Sequence, residues 1–313
     1  MSKSAVLLII FNRPNTTKQV FDAIRTSKPD KLYIAADGHR HGVLSDLENC
    51  KISRAITELI DWPCEVKRLY QEQNLGCSFG PRTAFDWFFS YESEGIILED
   101  DCIPHSDFFE FASEMLERYR YDERIISING SNLGYTLKDG NSYTFSRFMN
   151  MWGWATWRRC HLKIDYNLIH WQNINNKQFY LWNKLRNNCM DIDIAWLNYW
   201  RFQFDKTVMT SQVTWWDYQW IYHQLRHEQY AIVPSINLVS NIGFNEQANH
   251  TLNSNSLAAN ISVSHLHTPY KHPIHIVVDN YYEDNYIKKI WCDYKKFTLI
   301  QTIKYFIKQI IQF

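Results

Sequence analysis

Three consecutive acidic residues, Glu99-Asp100-Asp101, follow directly on the apolar run Ile96-Ile97-Leu98. Such an apolar run is typical of a buried strand interior, which places the acids at the end of a strand. Mutual repulsion and desolvation oppose this grouping unless positive charge compensates it. Adjacent carboxylates offer the oxygen ligands that hard divalent cations such as Mn²⁺ and Mg²⁺ prefer. The alternative is a solvated strand-to-loop turn in which an Asp caps a helix.

Polar residues also follow other apolar runs in the first 130 residues. Asn12-Arg13-Pro14 follow AVLLIIF, Asp37-Gly38 follow KLYIAA, and Gln73-Asn74 follow EVKRLY. An Arg at the end of the first strand could reach a diphosphate or a base, and Arg40 and Arg82 add further positive charge. A single Arg more often forms a surface salt bridge, so each of these residues is a candidate only in combination with the others.

Apolar spacing predicts the elements that must position these residues. Strand-like runs alternate with helical spacing at residues 15–27, 44–60, 74–92 and 107–120, and a fifth strand follows at 124–132. This alternation predicts a largely parallel sheet covered by helices on both faces. Ligands of such open sheets bind outside the carboxyl ends of the strands, so we expect the polar residues to converge on one crevice.

Composition excludes several classes of protein. Lys+Arg and Asp+Glu both number 33, so no global field attracts nucleic acid. The 13 Trp, 19 Tyr and 18 Phe exceed ordinary core needs and suit the apolar faces of sugar rings. Seven cysteines without a CxxC pair argue against a disulfide framework or zinc finger and favour a reducing cytoplasm. The run Ala5–Phe11 is too short for a membrane span and lacks a small-residue cleavage site, so we interpret it as the first buried strand.

The strand and helix rhythm is lost in residues 131–250, which carry the aromatic runs MWGWATWRR, DIDIAWLNYWRFQF and VTWWDYQW. We expect this region to form a second lobe laid against the edge of the sheet. Small residues around Trp154 would allow its indole to form a wall that contacts a sugar, the alternative being packing between the lobes. The later histidines are typical of a surface strand or loop rather than a metal site; they are His265, His267, His272 and His275.

The order of FNRP, YIAADG, QNLGCSFG, GIILEDDCIP and MWGWATWRR resembles a bacterial family of nucleotide-diphospho-sugar transferases. These enzymes have the GT-A glycosyltransferase fold and are distantly similar to the N-acetylglucosaminyltransferase I group. The resemblance implies an α/β fold with a Rossmann-like, mostly parallel sheet, an aromatic-rich acceptor lobe and a C-terminal helical tail. The resemblance covers roughly residues 4–251. Together with the loss of rhythm after residue 130 and the spacing of the tail, it predicts a nucleotide-sugar-binding half (1–130), an acceptor-binding and catalytic half of the same domain (131–270) and a C-terminal extension (271–313).

The resemblance also implies roles for individual residues. The acidic triplet corresponds to a DxD-like motif in which Asp101 is the direct ligand of Mn²⁺ or Mg²⁺. His250 resembles a downstream metal-ligating His, although Asn245 and Gln247-Ala248 depart from the acid or Gly that relatives often carry. The residues expected to bind the donor are Asn12, Arg13, Pro14, Asp37, Gly38, Asn74, Gly76, Arg82, Glu99 and Asp100.

Catalysis by an inverting transferase requires a carboxylate that takes the proton from the acceptor hydroxyl. The stretch WWDYQW supplies Asp217 for this role, and Trp215 and Trp216 could stack on sugar faces. The alternative for Asp217 is a core carboxylate that accepts a hydrogen bond from an indole N–H.

The implied substrates are a nucleotide-diphosphate sugar, with a UDP-sugar favoured, and a glycan or lipid-linked acceptor of bacterial surface polysaccharide synthesis. The transferred group would be a hexosyl or N-acetylhexosaminyl unit. Residues 296–313 have the spacing of a basic amphipathic helix, which predicts peripheral contact with the inner face of the cytoplasmic membrane or, equally, docking on the protein itself or on a homodimer partner.

Two other functions compete with this interpretation. A sugar-phosphate nucleotidyltransferase uses a similar sheet but usually needs a Gly-rich basic loop after the first strand, which FNRPNTT does not provide. A catalytically inactive glycan-binding protein would use the Trp-rich lobe and would tolerate the loss of Asp101 or Asp217.

Overall fold

The computed structural model describes residues 4–186, 194–209, 215–244 and 257–287. The strands in these ranges are β1 (Val6–Ile10), β2 (Lys31–Ala36), β3 (Glu65–Tyr70), β4 (Glu94–Glu99), β5 (Cys102–Pro104), β6 (Ile125–Asn129), β7 (Tyr143–Ser146), β8 (Trp154–Trp157), β9 (Tyr230–Pro234) and β10 (Val239–Asn241). The helices are α1 (Pro14–Ser27), α2 (Leu44–Ile56), α3 (Gly76–Tyr91), α4 (Ser106–Arg118), α5 (Arg158–His161), α6 (Ile169–Gln172), α7 (Lys177–Leu185), α8 (Ile194–Met209) and α9 (Asp217–His227). Residues 280–287 are also helical.

Eight strands form one sheet in the order β3-β2-β1-β4-β8-β6-β9-β7. The first four run parallel to one another, as do β6 and β9, whereas β8 and β7 run antiparallel to their neighbours. Val6, Leu7 and Leu8 are all fully buried, and since successive strand residues point to opposite faces, both faces of the sheet are covered there. The predicted mixed α/β fold with a mostly parallel, helix-flanked sheet is therefore confirmed.

The five strands predicted in the first 130 residues are all present. Helix boundaries differ slightly from the prediction, since α2 ends at Ile56 and α4 covers Ser106–Arg118. Pro14 begins α1, where its missing N–H costs no hydrogen bond. In the described part of the chain, no helix has the length and apolar content needed to cross a membrane.

The region after residue 130 is more closely joined to the sheet than we expected. It contributes β7, β8 and β9, and β8 lies in the middle of the sheet, where Ala155 pairs with Ile96 on one side and Ile128 on the other. All four residues of β8 are buried. The expectation of a lobe laid against the sheet edge is therefore wrong for these strands, whereas α8 and α9 do pack together on the side of the cavity described below.

A second, two-stranded sheet fixes the position of the acidic triplet. β5 begins immediately after Asp101 and pairs antiparallel with β10, with Cys102 opposite Asn241. Just beyond β10, the Ile242 N–H donates to the Asp101 carbonyl oxygen over 2.9 Å. The triplet thus lies between the end of β4 and the start of a second hydrogen-bonded pair, which restricts its backbone.

The tight packing of β4 against β1 makes Gly95 sensitive to substitution. A Cβ at this position would lie 2.8 Å from the Ala5 carbonyl oxygen and closer still to the Phe88 ring. We expect Gly95→Ala to lower the free energy of unfolding by about 1–3 kcal/mol through overpacking, measured by urea denaturation. The exposed-site control Glu48→Ala should change it by no more than about 0.5 kcal/mol. Equal stability of the two variants would contradict the close approach of these strands.

Candidate functional site

The carboxyl ends of β1, β2, β3 and β4 open onto one cavity of about 680 Å³. Because these strands are parallel, the residues that follow them meet at one edge of the sheet, as expected. This side of the cavity is lined by Phe11, Arg13, Asp37, Arg40, Gln71, Asn74, Gly76, Cys77, Glu99, Asp100 and Asp101. The opposite side is lined by residues 149–152, by α8 and by residues 215–218 at the start of α9, together with Ile221, Asn241 and Tyr286.

Arg13 bridges two of the three acids of the triplet. Its Nη1 lies 2.8 Å from Asp101 Oδ2, and its Nη2 pairs with Asp100 Oδ1. Asp100 Oδ2 also accepts from the Phe11 N–H over 3.2 Å. Burial disfavours the charged guanidinium, but the two adjacent carboxylates outweigh it and raise the pKa of Arg13 above its ordinary value. Arg13 is therefore a permanent cation that joins the end of β1 to the end of β4.

One guanidinium does not balance the negative charge around it. Burial, followed by the charge of Asp101, raises the pKa of Glu99 to about 8, with Asp100 and Asp217 contributing and Arg13 opposing. Burial also raises the pKa of Asp100, despite its pairing with Arg13. Asp100 and Asp101 nevertheless share the single guanidinium of Arg13, which leaves a deficit of positive charge at the end of β4.

A hard divalent cation fits this deficit. Glu99 and Asp101 line the cavity and provide carboxylate oxygens, the ligand type that Mn²⁺ and Mg²⁺ take. Asp100 is less available, because one of its oxygens accepts from a backbone N–H and the other pairs with Arg13. The residues present are therefore compatible with the expected metal, with Asp101 and Glu99 as the side chains that could hold it.

The other expected metal ligand, His250, lies outside the described residues. Within the described ranges, one group brings three ligand atoms within 4.8 Å of one another, and it consists of His105, Asp107 and His265. None of these three residues lines the cavity.

Asp37 organises the loops at the ends of β2 and β3. Its Oδ1 accepts from the N–H groups of Gly38 and Leu75, each over 2.8 Å, and its Oδ2 accepts from Asn74 Nδ2 and the Gly76 N–H, each over 3.0 Å. These bonds fill about four acceptor positions, the capacity of a carboxylate. Asp37 and Asn74 do line the cavity, but this geometry makes Asp37 a support of its wall rather than an open acceptor for a base or ribose.

Gly38 is constrained by the same loops, because a Cβ there would lie 2.6 Å from the Gln73 carbonyl oxygen. Gly76 has φ +76°, in the left-handed region that glycine adopts at no steric cost. Both predicted glycines are therefore required by the backbone, and Gly76 also lines the cavity.

Four of the predicted donor-binding residues do not line the cavity: Asn12, Pro14, Gly38 and Arg82. Asn12 donates from Nδ2 to Asp46 Oδ1 over 2.6 Å, and Pro14 begins α1. The guanidinium of Arg82 lies 4.0 Å from the centre of the Tyr166 ring. The expected position of Arg82 in the crevice is therefore wrong, because α3 turns this side chain towards an aromatic ring instead.

The aromatic residues divide into core and cavity. Trp154 is only 1% exposed and packs edge-to-face against Phe85 and Trp220, so its expected contact with a sugar is not supported by its position. Trp215 and Trp216 do line the cavity. Trp215 Nε1 donates to Thr207 Oγ1 over 2.8 Å, which fixes the indole and leaves it half-buried.

Asp217 is the first residue of α9 and lines the same cavity as the acidic triplet. Its charge contributes to the raised pKa of Glu99, which places the two carboxylates in the same electrostatic environment. The structure thus brings Asp217 together with Arg13, Glu99 and Asp101, although 116 positions separate Asp101 from Asp217 in the chain.

Sequence reasoning missed several residues of the site. Asp46 Oδ1 accepts hydrogen bonds from Arg40 Nη2, over 2.9 Å, and from Asn12 Nδ2. Asp46 therefore holds Arg40 at the cavity edge. Its place in the first turn of α2 is common for any acid at a helix start, so nothing in the sequence distinguished it. The lining residues of the aromatic side that were not predicted include Asn150, Trp152, Tyr199, Trp200, Gln203, Lys206, Asn241 and Tyr286.

Comparison with known proteins reveals remote structural likeness alone. No family model matches the chain, and no curated protein matches its sequence. HddC from Yersinia pseudotuberculosis is 10% identical over 50% of this chain and 77% of its own, with a TM-score of 0.30.

Two further solved structures are similarly distant. The 4-diphosphocytidyl-2C-methyl-D-erythritol synthase of Anaerococcus prevotii is 10% identical over 72% of this chain and 98% of its own, with a TM-score of 0.31. Mouse xyloside xylosyltransferase 1, in its apo form, is 9% identical over 72% of this chain and 82% of its own, with a TM-score of 0.33. Likenesses this remote identify no family, so function has to be inferred from the residues of the cavity.

The charge deficit at the triplet can be measured directly. In Arg13→Met the carboxylates of Asp100 and Asp101 lose their cation, so we expect the melting temperature to fall in the presence of a chelator. Added Mn²⁺ should raise the melting temperature of this variant more than that of the unmodified protein. The control Arg25→Met breaks an exposed ion pair with Asp61. It should change neither the melting temperature in chelator nor the increase caused by Mn²⁺. A fall in stability that Mn²⁺ does not relieve would contradict a cation site at the triplet.

Proposed function

We propose that this protein is a metal-dependent, inverting glycosyltransferase that moves a sugar from a nucleotide-diphosphate donor to a glycan or lipid-linked acceptor. The proposal rests on two features that lie in one cavity. One is a group of acidic residues that could bind a cation, and the other is a carboxylate next to two indole rings. The acidic end consists of Arg13, Glu99 and Asp101, and the carboxylate is Asp217 beside Trp215 and Trp216. The resemblance in motif order described above supports the same class.

The cavity has a suitable size and two chemically distinct sides. Its volume of about 680 Å³ falls within the range of roughly 300–1,000 Å³ that is usual for small-molecule sites. Apolar residues at the strand ends, Ile9 and Leu69 among them, suit the flat face of a base, whereas Arg13 and Arg40 suit a diphosphate. We assign this side to the donor and the aromatic side to the acceptor.

Each cavity residue has a defined task in this scheme. Arg13 fixes Asp100 and Asp101 in place and puts permanent positive charge beside the diphosphate. A divalent cation, when bound at Asp101 and Glu99, would offset the charge of the departing nucleoside diphosphate. Asp217 would accept the proton of the acceptor hydroxyl as that oxygen attacks the anomeric carbon from the face opposite the leaving group. Trp215 and Trp216 would hold the acceptor against this carboxylate.

Nucleotide binding provides the first test. We expect UDP to bind in the presence of Mn²⁺ and to bind more weakly with a chelator present, measured by calorimetry against other nucleoside diphosphates. Because Asp101 could hold the cation, Asp101→Asn should raise the dissociation constant by about 10- to 100-fold or more. Asp22→Asn, which alters an exposed pair with Lys18, should leave it unchanged. Failure of every nucleoside diphosphate to bind with metal present would contradict the proposal.

Proton transfer provides the second test. Asp217→Asn should bind the donor nucleotide normally but reduce kcat for sugar transfer by about 10²- to 10⁴-fold, the usual contribution of a general base. Transfer assays with a panel of UDP-sugars and oligosaccharide acceptors would measure this, with Asp22→Asn as the matched carboxamide control. Full transfer activity in Asp217→Asn would refute the role of this carboxylate. Formation of a nucleotide-sugar from a sugar phosphate and a nucleoside triphosphate would instead indicate the nucleotidyltransferase function.

A further inference from the structure

A second group of metal-type side chains lies outside the cavity, at the start of α4. His105 directly precedes this helix, Asp107 is in its first turn, and His265 comes from the segment that returns after residue 257. One ligand atom from each residue lies within 4.8 Å of those of the other two. Their separation in the chain, 158 residues between Asp107 and His265, explains why sequence spacing gave no sign of the group.

The three side chains are already oriented towards one another. His265 Nδ1 lies 2.9 Å from Asp107 Oδ2, and His105 Nδ1 lies 3.4 Å from Asp107 Oδ1. The two imidazole rings meet edge-to-face with their centres 4.6 Å apart. The Leu266 N–H donates to Asp107 Oδ2 over 2.8 Å, which fixes the carboxylate from the backbone. A cation between them would replace the proton that His265 and Asp107 share.

Binding has one local cost. His105 Nδ1 accepts a 3.2 Å hydrogen bond from the Asp107 N–H, and a metal on that nitrogen would displace this helix cap. The bond is long, and the rest of α4 does not depend on it, because six residues of the helix are buried against the core. The side chains also leave an entry path, since that of His265 is 69% exposed.

We propose that His105, Asp107 and His265 form a site for a zinc-class transition-metal ion, separate from the oxygen-ligand site at the acidic triplet. Two imidazoles and one carboxylate are a ligand set typical of Zn²⁺, whereas Mg²⁺ and Mn²⁺ favour oxygen ligands. The fourth position is open to water.

Such an ion would join the start of α4 to the returning segment, and both are already bonded to the residues before β10. The His105 N–H donates to the Leu238 carbonyl oxygen next to β10, and the Ser264 N–H donates to the Asn237 carbonyl oxygen beside it. The metal would strengthen the direct link between the start of α4 and the returning segment that Asp107 now makes with His265 and with the Leu266 N–H. Since β5 connects His105 to Asp101, the ion would also stiffen the support of the acidic triplet from its far end.

Zinc binding by the chain without a histidine tag tests this assignment. After treatment with a chelator and its removal, Zn²⁺ should bind at one ion per chain in competition with a chromogenic chelator, and it should raise the melting temperature. His265→Ala should weaken this affinity by more than about 10-fold, because loss of a ligand exceeds the effect of losing an outer-shell partner. The matched control His275→Ala removes an exposed histidine outside the group and should retain the affinity.

Two further measurements separate this site from its alternatives. Asp101→Asn should leave Zn²⁺ binding unchanged, which distinguishes the site from the acidic triplet. Co²⁺ in place of Zn²⁺ should give a visible absorption band that is lost in His265→Ala and kept in His275→Ala. Zinc affinity that is equal in the His265→Ala and His275→Ala variants, or absent from the unmodified chain, would overturn the proposal and leave the group as a hydrogen-bonded staple alone.

Discussion

The ion pairs of Arg13 with Asp100 and Asp101 are the interaction on which the cavity depends. Concentrating three acids at the end of a buried strand is unfavourable, and one guanidinium held by two carboxylates makes it tolerable. The same ion pairs hold the end of β1 against the end of β4. They therefore determine both the shape of the cavity floor, formed by these two strand ends, and its charge. Because a single cation faces more than one negative charge, the floor still attracts positive charge. A donor that arrives with a metal ion matches this property, whereas a bare polyanion would not.

The acidic residues around the cavity have two different roles: some hold loops in place, and others face the cavity. Asp37 and Asp46 have their oxygens engaged by backbone, Asn or Arg donors, and so they hold loops in place. Glu99 and Asp101 line the cavity, and Asp101 does so while one of its oxygens pairs with Arg13. The distinction matters because a carboxylate whose lone pairs are already used cannot also recognise a ligand without breaking the framework. The chemistry of the site is thus concentrated at the ends of β4 and at the start of α9.

Much of the strand-end side of the cavity could be predicted from the sequence, because long apolar runs alternating with helical spacing determine where parallel strands end. That reasoning correctly placed Arg13 and Asp101 at one edge. It failed for Arg82 because a helix position does not reveal which way the side chain turns, and here Tyr166 attracts it. It failed for β8 because WATW is a four-residue strand whose large indoles are as typical of a ligand wall as of a core. Contacts between distant segments, such as that of Asp46 with Asn12, leave no local pattern at all.

The central position of β8 has a consequence for how the chain reaches this structure. β4 and β6 are both formed by residues within the first 130, yet neither pairs with the other, and the gap between them is closed by residues 154–157. During synthesis, an incomplete chain would therefore present two apolar strand edges with unpaired backbone groups, the feature that promotes aggregation. Strands from both sides of position 130 thus share one sheet, and we expect a fragment ending near residue 130 to be prone to self-association through the edge of β4.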